Sequence, residues 1–388
     1  MYKNLVKKLV VTSTFAIVLR VSYVFFFKES ILSSEFNSYI FLTSIFAICG
    51  SLISPFDGIA ARFIKTITAD KIFGYAFIHI IVRLFIFLFA YIFLIKLVSL
   101  PSEVNSFAYI AILLGIAGAA LANFVYVTDI GSGKNNLRVN FIFILPILIK
   151  FIILVICIRL NLKFNEIIII CETTQFLICL FIFIYKFNNL FVKGTKLNLI
   201  VNAKLFFKQV SLYGYQSIIL IPASYVKTNF APLLSSVSLN ADETFSILLI
   251  QKFFDQARSI LSRPNMLLSG VAKPNSSITY PYLFPLPIIF IIAVLGYFNF
   301  YSIIFLFFCM RLVDIFIFLS TYNVAADYMK LPSFHGYNRF IFIPQLIFLC
   351  CIIIFEKTLT IFMLIMLLRS VISLISWHLF SIVKLKTN

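Results

Sequence analysis

The sequence predicts an all-α polytopic membrane protein with about twelve transmembrane helices in two six-helix lobes and both termini in the cytoplasm. Three observations predict it. Of 388 residues, 62% are hydrophobic and the mean hydropathy is +1.06, where a soluble domain is about 45–50% apolar. Apolar runs of about 18–25 residues recur along the chain, the length that crosses a bilayer as a helix. The Lys and Arg residues alternate in density from loop to loop. The short alternating segments of a membrane barrel are absent from the pattern.

The apolar runs place twelve spans at about 9–27, 36–56, 74–98, 106–127, 139–160, 165–187, 211–231, 243–263, 280–298, 301–323, 338–355 and 359–382. The first follows Lys3, Lys7 and Lys8 as a signal peptide would, but Arg20 and a Phe-rich stretch stand where a small-residue cleavage site would lie. The expectation is a retained first helix. The eighth is weakest in hydropathy, because Lys252, Asp255 and Arg258 step along it by threes. With the N-terminus inside, 19 Lys and Arg fall in cytoplasmic loops and 5 in outward loops (Lys28, Lys96, Arg159, Lys163 and Lys357). That bias sets orientation. It accounts for much of the net charge of +18 as topology and attraction to anionic lipid, and no nucleic-acid partner is expected. The longest loop, Tyr185 to Gln209, is basic and divides residues 1–200, a six-helix lobe with its linker, from a second lobe at 201–388. Leu197, Leu199, Ile200, Leu205 and Phe206 are expected to face lipid there as an amphipathic segment.

The two halves carry an internal echo. Arg20 precedes Leu32-Ser33-Ser34-Glu35-Phe36-Asn37-Ser38-Tyr39 by the same 12 residues that separate Lys227 from Leu239-Asn240-Ala241-Asp242-Glu243-Thr244-Phe245-Ser246, an offset of 207. Each half thus opens with a cation in its first span, a polar turn and a second apolar span.

Charges inside the spans carry the functional reading. Eight are cations, Arg20, Arg83, Lys150, Lys227, Lys252, Arg258, Arg311 and Arg369, and three are anions, Glu172, Asp255 and Asp314. A charge near mid-bilayer costs about 2.5–3.5 kcal/mol if it faces lipid. Such residues must face a shared interior, pair, or snorkel to the interface. Arg311 and Asp314 are i, i+3 neighbours and can pair locally. After pairing, a cationic surplus remains, and a water-filled cavity of positive potential suits an anionic substrate such as a diphosphate, which Arg binds through its planar fork and Lys as a point charge. The expected lumen set is Arg20, Arg83, Lys150, Lys227, Lys252, Arg258 and Arg311. Glu172, in the polar patch Glu172-Thr173-Thr174-Gln175, Asp255 and Asp314 are the candidates for ion coupling. For Glu172 the alternative is a permanent pair with Lys150. His79 stands one turn before Arg83, where it either titrates or only packs. Pro146, Pro222 and Pro344 lie inside spans and permit kinks. Gly115, Gly118, Ala119 and Ala120 make a small-residue face for close helix contact.

No catalytic motif of the Walker, HExxH or GxSxG kind occurs, no loop is long enough for a soluble catalytic domain, and the expectation is a transporter rather than an enzyme. The seven Cys all fall in apolar spans without zinc-ligand spacing, as small packing residues do. No metal and no cofactor beyond a coupling ion is expected.

Here the chain resembles the polysaccharide flippases, the O-antigen and exopolysaccharide exporters within the multidrug/oligosaccharidyl-lipid/polysaccharide superfamily. The likeness rests on Leu32 to Tyr39 after a first span containing Arg20, on Ser54-Pro55-Phe56-Asp57-Gly58 closing the second span, on the echo before the eighth, and on Arg263-Pro264-Asn265 after it. Asn37 departs from the glycine that family members often carry after the Glu-Phe pair. The resemblance implies two six-helix bundles in a V around a cationic lumen, in the bacterial inner membrane. It implies transfer of undecaprenyl-diphosphate-linked oligosaccharide to the outer leaflet by alternating access, driven by protons or sodium. A polysaccharide polymerase and a chain-length regulator are the implied partners. By position, Arg20 matches the cation of the family's first helix, and Lys252 or Arg258 those of the eighth. Two alternatives stand beside it. A multidrug or other small-molecule antiporter of the same superfamily would be expected to show an acidic cavity when it exports cations. A polysaccharide polymerase or ligase would carry a large outward loop, and here every outward loop is short.

Overall fold

The computed structural model describes residues 2–51, 72–97, 101–131, 137–191, 199–213, 229–269, 303–312, 361–366, 368–369, 371–372 and 375. Among them every regular element is an α-helix. In chain order they are α1 (Tyr2–Glu29), α2 (Ser33–Ser51), α3 (Ile72–Leu97), α4 (Ser106–Gly131), α5 (Leu137–Arg159), α6 (Phe164–Phe191), α7 (Leu199–Tyr213) and α8 (Ala241–Ser269). Shorter helical stretches cover residues 229–238, Ile303–Leu312 and 361–366. α1 to α6 coincide with the first six apolar stretches of the sequence. Spans nine to twelve, for the most part, and Lys227 and Asp314 lie outside the described residues, as do Pro222, Pro344, Cys350, Cys351 and Pro55-Phe56-Asp57-Gly58.

The helix ends are set by local chemistry. Glu35 Oε2 accepts the Leu32 amide at 3.0 Å at the start of α2, and Glu166 Oε2 accepts the Lys163 amide at 2.9 Å at the start of α6. Both are the carboxylate half of a capping box. Asn105 Oδ1 takes the Ala108 amide at 2.8 Å and Asn240 Oδ1 the Glu243 amide at 2.9 Å, capping α4 and α8. α5 ends where Asn161 turns left-handed (φ 53°) and the Leu162 amide reaches back to the Cys157 carbonyl at 3.2 Å. Asparagine tolerates that conformation better than other side chains.

The chain forms two compact units, Met1–Asn229 and Phe230–Asn388. In the first, α4 packs most extensively on α6, α1 lies against α5, α5 against α6, and α7 against α3. The α4–α6 contact follows the small-residue face foreseen in the sequence. A Cβ on Gly118 would stand 2.8 Å from the Phe176 Cα, and one on Gly115 would collide with the Glu172 carboxylate. Only glycine allows that approach. The starts of α2, α4 and α6 meet at one end. Ser38 Oγ donates to Glu103 Oε2 at 3.0 Å, the Asn105 amide to Asn165 Oδ1 at 3.0 Å, and Asn165 Nδ2 to the Glu103 carbonyl at 3.1 Å. An up-and-down run of six helices brings alternate turns together in this way.

The second unit packs Ala231, Leu234, Ile247, Leu306, Phe307, Met310, Phe362 and Met363 into one apolar cluster. Its residues 230–238 and α8 form a tight hairpin through Leu239 and Asn240, with Thr244 Oγ1 donating to the Ser235 carbonyl at 3.0 Å. The second copy of the echoed stretch therefore leaves a short turn and opens a helix, as the first copy does.

Large apolar side chains line the outside. On α3, Phe77, Ile81, Leu84, Phe85, Leu88, Phe89 and Ile92 are exposed, and steps of three and four put them on one stripe. A soluble protein rarely shows so long an apolar face. Ser106–Val125 in α4 and Phe164–Lys186 in α6 are each long and apolar enough to cross a membrane.

One expectation is corrected. In the segment Tyr185 to Gln209, Phe206 was expected to face lipid with Ile200, and Ile200 is indeed exposed. Phe206 is instead buried on α3, and α7 extends to Tyr213, past the expected start of the seventh span. Aromatic packing on His79, described below, outweighs what the hydropathy of the segment alone suggests.

Candidate functional site

Glu172 is the centre of a charged cluster in the first unit. It sits in the third turn of α6, 3% exposed. Its Oε1 accepts Lys150 Nζ of α5 at 2.7 Å and the Tyr39 hydroxyl of α2 at 2.9 Å. Its Oε2 lies over Gly115 of α4. The Lys150 ammonium is 5.0 Å from the centre of the Tyr23 ring of α1, close enough for a cation–π attraction. Five helices thus converge on one carboxylate. The pairing of Lys150 with Glu172, left open in the sequence, is present. Charge-assisted bonds to Oε1 and an aromatic face under the lysine offset the loss of water that burial imposes. An aromatic row leads away from the cluster. Tyr23 stacks on Phe27 at 5.9 Å, and Phe27 meets Tyr39 at 4.6 Å and Phe164 at 6.2 Å.

A second group of buried polar side chains lies where α3 meets α4 and α7. Arg83 is 4% exposed. Its Nη1 donates to the Ala120 carbonyl at 3.3 Å, and its guanidinium carbon lies 4.9 Å from the Phe124 ring centre. The small side chains of Ala119 and Ala120 leave that carbonyl within reach. His79, one turn earlier, is fully buried among Tyr75 (4.5 Å), Phe206 (4.7 Å) and Phe124 (5.5 Å). Neither ring nitrogen has a hydrogen-bond partner among the described residues. The Tyr75 hydroxyl donates to Gln209 Oε1 of α7 at 2.5 Å. Of the two readings of His79, the geometry shows the packed one.

In the second unit Asp255 of α8 gathers two donors. Arg311 Nη2 reaches its Oδ1 at 2.6 Å, and Gln251 Nε2 reaches its Oδ2 at 2.7 Å. Arg311 thus bonds to a carboxylate on another helix, while Asp314, the partner expected for it three residues on, lies outside the described residues. A planar guanidinium reaches a facing helix as easily as its own next turn. Arg311 is 4% exposed at its side chain and Asp255 35%. Lys252 is exposed on α8, and Arg20 is half-buried on α1. Arg258 lies on α8 with its side chain outside the described residues, and Arg369 is half-buried in a helical stretch.

Nothing matches the chain among protein-family models, curated proteins or solved structures. The site is read from its own chemistry.

Among the described residues no group of His, Cys, Asp and Glu is placed to hold a metal ion. Cys49, Cys157, Cys171, Cys179 and Cys309 are free thiols, the first four buried. Members of the clusters without a role in the sequence analysis include Tyr23, Tyr39, Tyr75, Phe124 and Gln251. Tyr39 closes the echoed stretch, and its place in a half-polar motif was the one signal available. Tyr23 and Gln251 stand in apolar runs, where nothing in the sequence separates them from packing residues.

Proposed function

We propose that the protein is a multi-pass exporter of the bacterial inner membrane that flips an undecaprenyl-diphosphate-linked oligosaccharide, an O-antigen or other surface-polysaccharide repeat unit, to the outer leaflet. In this reading about twelve spans form two six-helix lobes around a cationic cavity, and substrate moves by alternating access. One observation carries it. Two of the three carboxylates in the spans are each engaged with a cation, Glu172 with Lys150 and Asp255 with Arg311, while the spans hold eight cations. The charge inside an apolar body is therefore positive in sum. A diphosphate head group is the ligand that such a field attracts and that Arg and Lys together bind best. The lipid tail of the substrate stays in the bilayer, and the head group with its sugars crosses through the cavity.

Ion coupling belongs to Glu172 in this reading. A coupling ion that displaces Lys150 from Glu172 frees Lys150 for the diphosphate site. Asp255 and Arg311 repeat the arrangement in the second unit.

The test is export of lipid-linked oligosaccharide in cells lacking their own exporter, with membrane levels matched. Wild type is expected to restore surface polysaccharide, and Arg20→Ala, Lys252→Ala and Arg258→Ala to lower export at least tenfold. Silent substitutions at equal abundance would make those charges structural. Failure of wild type in its cognate strain would sink the flippase and bring forward a polymerase or ligase.

A further inference from the structure

α7 has one buried face and one exposed face. Asn202, Phe206, Gln209 and Val210 are buried. They carry Phe206 to His79 and Gln209 to Tyr75. The opposite face bears Ile200, Val201, Lys204, Phe207 and Lys208. Their steps of one, three and four residues bring them within about a third of the helix circumference at about 3.6 residues per turn. Ile200 is 71% exposed, Val201 41% and Phe207 64%, and Lys204 and Lys208 are exposed as well.

We propose that this outer face seats on anionic phospholipid, with Lys204 and Lys208 holding the headgroup phosphates and Ile200, Val201 and Phe207 entering the acyl boundary. Charge and apolarity point to the same occupant. Three large apolar side chains in water are costly, while two lysines one turn apart on the same face would be costly against another apolar surface. A phospholipid boundary accepts both, since the aliphatic stems lie along the chains and the ammonium groups rise to the phosphates. The segment belongs to the Lys-rich loop placed on the cytoplasmic side, the leaflet where anionic lipid concentrates. The inference rests on the membrane reading of the chain and adds to it the lipid class that this helix selects.

Tryptophan quenching by brominated lipid tests it on the full-length protein in vesicles. The one native tryptophan, Trp377, is replaced by Phe, and Phe207→Trp supplies the probe. Phe181→Trp, on the exposed apolar face of α6, reports the membrane reading alone. In brominated phosphatidylcholine, Phe207→Trp is expected to be quenched. Mixing in brominated phosphatidylglycerol is expected to deepen the quenching, and the increment is expected to vanish in Lys204→Gln/Lys208→Gln and in about 1 M salt, where screening acts over about 3 Å. Quenching of Phe181→Trp without quenching of Phe207→Trp would overturn the proposal. So would quenching of Phe207→Trp that ignores lipid charge and both lysines. An unquenched Phe181→Trp would instead overturn the membrane reading on which the proposal rests.

Discussion

Glu172 shows how one residue is held by its neighbours. Removing either member of the Lys150–Glu172 pair leaves a charge in a dry place, and breaking a buried pair costs about 3–5 kcal/mol. Lys150→Met and Glu172→Gln are each expected to lower the unfolding midpoint in detergent strongly, and the double variant by much less than the two losses together. Additive losses would mean that the two side chains do not interact. Gly115→Ala pushes a methyl into the carboxylate that Lys150 and Tyr39 hold in place. Its expected cost is about 1–3 kcal/mol, the range for overpacking. The sequence showed Glu172 and Lys150 as charges needing partners, and their pairing was one of two readings. Tyr23, Tyr39 and Gly115 were legible only as an aromatic, a motif end and a small residue. Their convergence depends on five helices that are distant in sequence.

Elements in this protein are fixed by where their small residues lie and what those residues face. Gly118 of α4 faces the backbone of α6 at Phe176, whereas Gly74 of α3 faces the far end of the Asn202 side chain of α7. Backbone cannot yield without moving the helix, and an amide end can rotate. Gly118→Ala is therefore expected to lower the thermal midpoint more than Gly74→Ala does, and equal effects would contradict the packing described for α4 and α6. The helix starts were more legible. Glu35, Glu166, Asn105 and Asn240 stand at turns between apolar runs, and each caps the helix that follows. On α7 Phe206 was misjudged, because hydropathy shows that a segment is amphipathic without showing which of two faces is covered by protein. Phe206 and Phe207 are adjacent in sequence, and one is buried while the other is 64% exposed.

At the scale of the whole molecule the alternation of turns makes a topological prediction. Single cysteines at Ser30, Ser102 and Leu162, in a background without native cysteines, should react with a membrane-impermeant maleimide added outside cells. One at Lys134 should react only after the cells are opened. Labelling of Lys134 from outside would invert or break the six-helix run. The sequence by itself determined that the chain is helical, where its first six helices lie and that its apolar stretches carry an excess of positive charge, because hydropathy, turn chemistry and charge bias are local or summed properties. Only the tertiary structure decided that Glu172 holds Lys150 and Tyr39, that Arg311 bonds to Asp255, that His79 is enclosed by three aromatic rings and that α7 turns Phe206 inward. Each of those contacts joins residues on different helices or selects one face of a helix. Such a choice is made by the packing of all the helices at once, and no window of sequence contains it.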